Sequence, residues 1–482
     1  MNGSAPIGPT RRYGAVEVVA QSPAERAARG KAARTEVPRS SHAVYEPAVY
    51  RPDPVGLLES QANSRVAELL PIRYGRMLAS PLAFYRGAAL IMASDLAATP
   101  RSGFHVQCCG DAHLSNFGVF ASPERRLVFD VNDFDETLPG PWEWDVKRLA
   151  TSIVIAARTN SFTVRQQQAA VLAAVAEYRG RMNELAAMRN LDVWYLRADI
   201  ENLVAASTEV TESMRSRTEA ALAKARTRDS LQAYAKLTGT DEGEPRFVSE
   251  PPLIVPIGEL LDGVDRDELF DALRAVVRQY RQTLLHDRRV LLEQYRLVDL
   301  ARKVVGVGSV GTRAWIALLL GRDGRDPLFL QIKEAQASVL EAFVQPSVYR
   351  NAGERVVAGQ RVMQAVSDIF LGWTTVKEDA TTGGQPVDYY LRQLRDWKGS
   401  AEPERMIPAE LTVYGRVCAA TLARAHARSG DRFAIAGYLG QSTTFDQAIL
   451  AFSETYAEQN DRDYAELGHA VESGRLTAQT DL

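Results

Sequence analysis

Residues 110–120 read GDAHLSNFGVF, and residues 127–136 read LVFDVNDFDE. Asp111 and Asn116 stand five positions apart on a loop-like stretch. "NFGVF" and "LVFDV" have the apolar, β-branched and aromatic character of strands, and "ASPERR" between them is a turn. The hairpin brings a second acidic cluster, Asp130, Asp133 and Asp135, back toward the first loop. Phosphoryl transfer uses these residue types in this order. An Asp accepts the proton of the attacking hydroxyl, an Asn a few residues on helps hold a metal, and an Asp at a following strand end holds the metal that bridges nucleotide phosphates. On this reading Asp111 is the base and Asn116 and Asp133 hold Mg²⁺. Asp135 assists, and Asp130 and Asp135 compete for the place given to Asp133.

Such a site also needs a loop over the phosphates and a strand lysine. Gly306-Val307-Gly308-Ser309-Val310-Gly311 has the G-x-G-x-x-G form, and Lys333 ends the apolar run in "LFLQIKEA". Gly306, Gly308, Ser309 and Gly311 are the expected phosphate cover, because glycine lets the backbone approach phosphate oxygens. Lys333 supplies a point charge. A helical glutamate, Glu341 in preference to Glu354, is expected to fix Lys333. A dinucleotide site is the rival, with "TRAWIALLLG" as a helix and Glu334 as the ribose-binding acid. Against it, "GRDGRD" is a good hairpin turn between two strands, and the rival leaves GDAHLSN unexplained.

Two other readings of the acidic motif compete. Asp, Asn and Gly cluster in turns because they satisfy turn backbones. Asp111-Ala112-His113 is also a D-x-H step, as in two-metal phosphoesterases, but those sites need further histidines. His105, His286 and His426 are scattered without ligand spacing. His113 is expected to brace its loop through a ring-to-backbone hydrogen bond.

The pattern G-D-x-H-x-x-N followed by D-F-D resembles the catalytic and metal loops of aminoglycoside phosphotransferase-like, protein kinase-like enzymes. The longer stretches "CGDAHLSNFGVF", "NDFDETLPGPWEWDVKRLA", "VGVGSVGTR" and "LARAHARSGD" resemble the bacterial domain of unknown function 2252 family, over roughly residues 50–470. The kinase resemblance implies ATP and Mg²⁺ as cofactors and a two-lobed α+β fold. It also implies a circular permutation, because the catalytic loop here precedes the glycine loop and its lysine. The helix "LTVYGRVCAATLARAHARSGD" would be the one that normally leads into the catalytic loop, and "VDYYLRQL" would run toward the adenine-binding hinge. Asp145 resembles the aspartate that braces the catalytic loop, with Arg148 its neighbour on the same helix or a surface arginine. Transfer of AMP instead of phosphate, or nucleotide binding by a non-catalytic scaffold, suits the same resemblance.

The chain has 482 residues, 46% hydrophobic and 24% charged, with net charge −3. That length allows two or three lobes. The charge advertises no nucleic-acid surface, and no apolar run reaches the roughly 18 residues of a membrane span. Three cysteines, two of them adjacent, do not form a disulfide framework and suit a reducing cytoplasm. The expected organisation is a mobile arm over 1–50, a helical lobe with the catalytic and metal loops over 51–300, a β-rich nucleotide lobe over 301–400, and a helical segment over 401–482 that completes the large lobe. Within this scheme 226–256 reads as a loop, and 160–300 as the far lobe. The expected partners are a nucleotide and a hydroxyl acceptor on a small molecule or protein.

Overall fold

The computed structural model describes residues 21–201, 212–241, 243–261, 265–377, 384–394 and 396–480. The chain is mixed α+β, with a helical body and several small sheets. The first strands are β1 (His105–Cys108), β2 (Phe117–Ala121), β3 (Leu127–Val131), β4 (Leu138–Pro141) and β5 (Ala198–Asp199). Then follow β6 (Thr238–Asp241), β7 (Glu244–Phe247), β8 (Ile254–Pro256), β9 (Arg296–Lys303), β10 (Ala314–Leu320) and β11 (Pro327–Glu334). The last three are β12 (Gly372–Val376), β13 (Val387–Gln393) and β14 (Gly399–Ser400).

The largest sheet has six strands, ordered β12-β13-β11-β10-β9-β8, with every pair antiparallel. Its centre explains why "AWIALLL" shows no polar alternation: β10 is buried on both faces. Trp315, Ala317 and Leu319 pack into one apolar cluster, and Ile316, Leu318 and Leu320 into another. β10 pairs directly with β11 across the "GRDGRD" turn, with Ala314 opposite Lys333 and Leu320 opposite Pro327. The helix that a dinucleotide turn requires here is therefore a strand.

A sheet apolar on both faces needs a cover on each. Residues 230–300, expected in the far lobe, supply both. Ala233, Leu237 and Phe247 pack on the Ile316 face, while Ile257, Tyr280, Leu284 and Leu292 pack on the Trp315 face. The expected loop over 226–256 contains the helix Ser230–Leu237 and the β6–β7 hairpin. The boundary expected at residue 301 falls inside β9, because a strand cannot be divided between lobes without breaking its pairing.

The helical body forms around Trp142–Thr159, in which every residue from Trp142 to Ala157 is buried. Val164–Ala187, Pro408–Ser429 and Thr444–Glu472 pack around it into one core. The end of Pro408–Ser429 meets the start of β1. Gln107 N donates to Ser429 Oγ at 3.0 Å, and a Cβ on Gly430 would lie 2.8 Å from the His105 carbonyl oxygen.

The arm expected to be mobile is ordered from Pro23, apart from residues 1–20, which lie outside the described residues. Pro23–Glu36 is a helix capped by Ser22 and Glu25. It packs on the helix Arg432–Leu439, so closely that a Cβ on Gly30 would lie 1.9 Å from the Ala434 carbonyl oxygen. Arg26 and Arg29 both pair with Asp431, at 2.8 and 2.7 Å. Among the described residues no helix is long and apolar enough to cross a membrane.

Candidate functional site

The β2–β3 hairpin does what its sequence requires. Phe117 faces Val131 in its register, and Asn132 N donates to the Asn116 carbonyl at 2.8 Å. The turn carrying Asp111 and Asn116 is thereby set beside the segment carrying Asp133 and Asp135. Asn116 Nδ2 donates to the Asp111 carbonyl at 2.7 Å, which leaves the amide oxygen for the cleft. The backbone leading into the Asp111 turn is held from below by Asp145. Its carboxylate accepts from Cys109 N at 2.6 Å and from Gly110 N at 3.0 Å. His426 Nε2 donates to the same carboxylate at 3.1 Å, and its Nδ1 accepts from the Tyr178 hydroxyl at 2.8 Å.

Asp111, His113, Asn116, Asp133, Asp135, Gly306, Gly308 and Ser309 line one cleft, which holds about 1010 Å³ of free space with its open mouth included. Lys333 reaches it from β11, where residue alternation puts it on the same face as Phe329 and Gln331. Its ammonium lies 2.7 Å from Asp135 Oδ2 and 3.6 Å from Asp133 Oδ2. The residue opposite Lys333 in the sheet is Tyr390, whose hydroxyl donates to Asp135 Oδ1 at 2.6 Å. Ser309 Oγ donates to Asp135 Oδ2 at 3.3 Å.

The glycine loop needs glycine at two positions. Gly306 has φ +66° and Gly311 φ +89°, conformations that side chains disfavour. Gly308 is there for close approach, since a Cβ would lie 3.1 Å from the Arg86 carbonyl oxygen. The loop's carbonyls turn away from the cleft: Arg76 donates to Gly306 O, and Arg65 to Gly308 O and Val310 O. Among the described residues the N–H groups of Val307, Gly308 and Ser309 donate to no protein acceptor. Gly311 does not line the cleft; its carbonyl anchors the loop by accepting from Val66 N at 2.8 Å.

Electrostatics separate the three aspartates. Asp130 is closed off in the core, where it accepts from Arg424 and from Ala365 N. Asp133 and Asp135 open to the cleft, with side chains 31% and 28% exposed. Desolvation raises the Asp133 carboxyl, and the neighbouring Asp135 charge adds to this against the pull of Lys333 and Arg392. For Asp135 desolvation is outweighed by Lys333 and by the Lys333 and Tyr390 hydrogen bonds, which bring it down to about 2. Lys333 is correspondingly held well above the usual lysine range by both carboxylates, against the cost of its burial.

Asp111 is not a free carboxylate. Arg148 donates to its Oδ1 from Nε at 2.7 Å and lies 2.6 Å away at Nη2, and this arginine is 3% exposed, not a surface residue. Burial still raises the Asp111 carboxyl, with Arg148 opposing. His113 Nε2 lies 3.6 Å from Asp111 Oδ2, while its Nδ1 is buried without a partner among the described residues. Burial, with Arg86 and Arg148 nearby, keeps the ring neutral.

Glu341 does not meet Lys333. Its carboxylate closes a capping box with Ser338 and accepts from Ser347 N, and its nearest cation is Arg355 at 3.9 Å. The lysine already has two aspartates, so no helical glutamate is needed to hold it. Glu334 is occupied by Arg313, from its backbone N at 2.8 Å and from Nη1 at 3.2 Å. Arg65, Arg86, Tyr390 and Arg392 belong to the site and were not expected. The signal for Tyr390 and Arg392 is period-2 alternation in "VDYYLRQL", which puts both on the face that Lys333 shares.

Among the described residues no three His, Cys, Asp or Glu side chains converge closely enough to hold a metal alone. The Asn116 amide oxygen and the Asp133 and Asp135 carboxylates line the same cleft. That set fits Mg²⁺, which takes one or two carboxylates and completes its shell with water and phosphate.

A family model described as "uncharacterized protein conserved in bacteria (DUF2252)" matches residues 65–470. The chain belongs to the DUF2252 family. No curated protein and no solved structure matches it. The DUF2252 match takes in every residue that lines the cleft except Gln61, and with them Lys333, Arg392 and the Asp145–His426 brace. The helix Pro23–Glu36 lies outside the DUF2252 match.

Proposed function

We propose that the cleft binds a Mg²⁺–nucleoside triphosphate, ATP in the first instance, and transfers its terminal phosphoryl group to a hydroxyl acceptor. The fold would be a two-lobed kinase-like one in circularly permuted order. The observation that carries this reading is convergence. Asp111, Asn116 and Asp133 share a cleft with Gly306–Ser309, about 200 residues away in the chain, and Lys333 pairs with Asp133 and Asp135 in its wall.

The chemistry assigns each group a task. The free N–H groups of Val307 to Ser309 cradle phosphate oxygens. Asn116, Asp133 and Asp135 would hold Mg²⁺, which neutralises charge on the bridging phosphates. Lys333 holds Asp135 ionised, opposes the rise of the Asp133 carboxyl and offers the phosphates its charge. As the terminal phosphorus leaves the β-phosphate oxygen, the acceptor oxygen bonds to it and the acceptor proton passes to Asp111. ADP departs with the electron pair of the broken bond. The end of Pro408–Ser429 lies against β1, which is the junction an unpermuted chain would make by direct connection. That contact supports the permuted order.

The Asp111–Arg148 pair favours a second reading. A carboxylate whose Oδ1 is taken up by a buried arginine serves that arginine as counter-ion, a structural task that a nucleotide-binding scaffold would keep.

Calorimetric titration of ATP with and without Mg²⁺ tests the proposal. Wild type should bind ATP in a Mg²⁺-dependent way, and Asp133→Ala should lose that dependence because the metal loses an anionic ligand. Absence of ATP binding by wild type, or a preference for NAD, would sink the reading.

A further inference from the structure

Nearly every charge in the cleft has a partner. Asp111 is held by Arg148, Asp135 by Lys333 and Tyr390, and Glu334 by Arg313. Arg65 and Arg76 donate to carbonyls of the glycine loop. Arg86 is the exception. It lines the cleft with Asp111, His113 and Asn116, it makes no ion pair with a described residue, and its Nε is buried without an acceptor. A guanidinium whose Nε is shut off from water with no acceptor has lost hydration there without replacing it, which is unfavourable until an anion arrives.

Its position says which anion. Arg86 is in the last turn of the helix Pro81–Gly87, and its carbonyl oxygen lies against Gly308 at the tip of the glycine loop. Its charge also acts on Asp111 and His113, on the catalytic side. Arg86 therefore spans the gap between the phosphate loop and the base. In a transfer reaction the terminal phosphate must occupy that gap, since it hangs from the loop-bound phosphates and meets a hydroxyl held by Asp111. A planar fork of N–H donors suits phosphate oxygens.

We infer that Arg86 is the residue that receives the terminal phosphate of the bound nucleotide. The inference rests on the phosphotransferase reading and adds to it a recognition group from the segment ahead of the catalytic loop. Arg86 would then discriminate triphosphate from diphosphate.

The test compares Mg²⁺-dependent binding of ADP and of a non-hydrolysable β,γ-imido analogue of ATP, by calorimetry on the full chain. In Arg86→Met the analogue should bind about 10- to 100-fold more weakly, as expected for loss of a charge-assisted contact, while ADP changes by less than about threefold. Arg86→Lys keeps the charge and stem but not the fork, so it should lose part of the discrimination and recover part of the analogue affinity. If Arg86→Met does not fold, the analogue-to-ADP ratio in Arg86→Lys decides. Two results would overturn the inference while leaving the phosphotransferase reading intact: equal weakening of both nucleotides, or an unchanged ratio in the variants. If wild type binds neither nucleotide, that reading fails and the inference falls with it.

Discussion

Asp111 shares its carboxylate between two demands. It neutralises a nearly fully buried arginine, and on the proposed mechanism it accepts a proton. Asp111→Asn keeps the size and removes the charge, so both demands are tested at once. A general base contributes typically about 10²–10⁴-fold, and transfer to the acceptor should fall by that factor while Mg²⁺–nucleotide affinity holds. Arg148 loses its counter-ion in the variant, and breaking a buried pair costs roughly 3–5 kcal/mol when the other charge is left alone. The amide oxygen still accepts a hydrogen bond, so a smaller loss is expected in urea unfolding. Turnover that survives unchanged would make Asp111 a brace for Arg148 and favour the scaffold reading. Asp145 shows the other kind of carboxylate. Its resemblance to a loop-bracing aspartate was legible in "WEWDVKRLA", and its bonds to Cys109 N and Gly110 N give that role its geometry.

The glycine loop is the element on which the nucleotide reading depends, and backbone conformation gives it a clean test. Gly306 and Gly474 both have positive φ, +66° and +77°, and neither would meet a neighbouring atom with an added Cβ. Alanine at either position therefore carries the same left-handed penalty of about 1–2 kcal/mol. Gly474 follows the last long helix, outside the cleft residues. Gly306→Ala should weaken ATP about tenfold, the equivalent of about 1.4 kcal/mol. Gly474→Ala should leave ATP affinity unchanged, with both variants similarly destabilised in urea. Equal ATP affinity in the two variants would detach the loop from nucleotide binding. β10 carries a different lesson. A strand buried on both faces has no alternation to read, so "TRAWIALLLG" could pass for a helix until its antiparallel partner β11 was in place.

For the molecule as a whole, the least comfortable group is in the core of the helical body. Lys147 is fully buried on Trp142–Thr159, and its ammonium has no hydrogen-bond partner among the described residues. It lies 4.4 Å from the centre of the Phe452 ring, with Glu143 one turn before it. Burial pushes the ammonium down to about 7 although Glu143 pulls the other way. His42, nearby, is pushed down to about 3 and is neutral throughout the range that follows. The sign follows from proton counting. Below about pH 7 both folded and unfolded chains protonate Lys147, and the burial penalty is felt in full. Between pH 7 and the ordinary lysine value of 10.5 the unfolded chain holds a proton that the folded chain has lost. Stability then rises with pH, by at most about 1.4 kcal/mol per unit. Lys147→Met should be more stable than wild type at pH 7, and the gap should close toward pH 10. Urea midpoints at pH 7, 8, 9 and 10 would show it. A constant gap would mean that Lys147 is charged throughout, held by Glu143.

Local pattern and chemistry in the sequence were enough for the β2–β3 hairpin, for the helix Pro408–Ser429, for the strand over "VDYYLRQL", and for the residues Asp111, Asn116, Asp133, Gly306 and Lys333. Each depends on neighbours within a few positions: alternation, helical period, or a motif whose parts lie on one loop. What the local pattern does not contain is long-range pairing. The glutamate expected beside Lys333 is spent on a capping box, because two aspartates about 200 residues away reach the lysine first. Arg148 and Arg86 carry the same charge and both lie on helices, yet one is neutralised by Asp111 and the other opens on the cleft. Residues 230–300 look like a continuation of the helical body and instead cover a sheet whose apolar faces become a single demand only when its strands pair. Tertiary structure decided these points because a charge or an apolar face takes the partner that is nearest in space, and spacing along the chain does not fix which one that is.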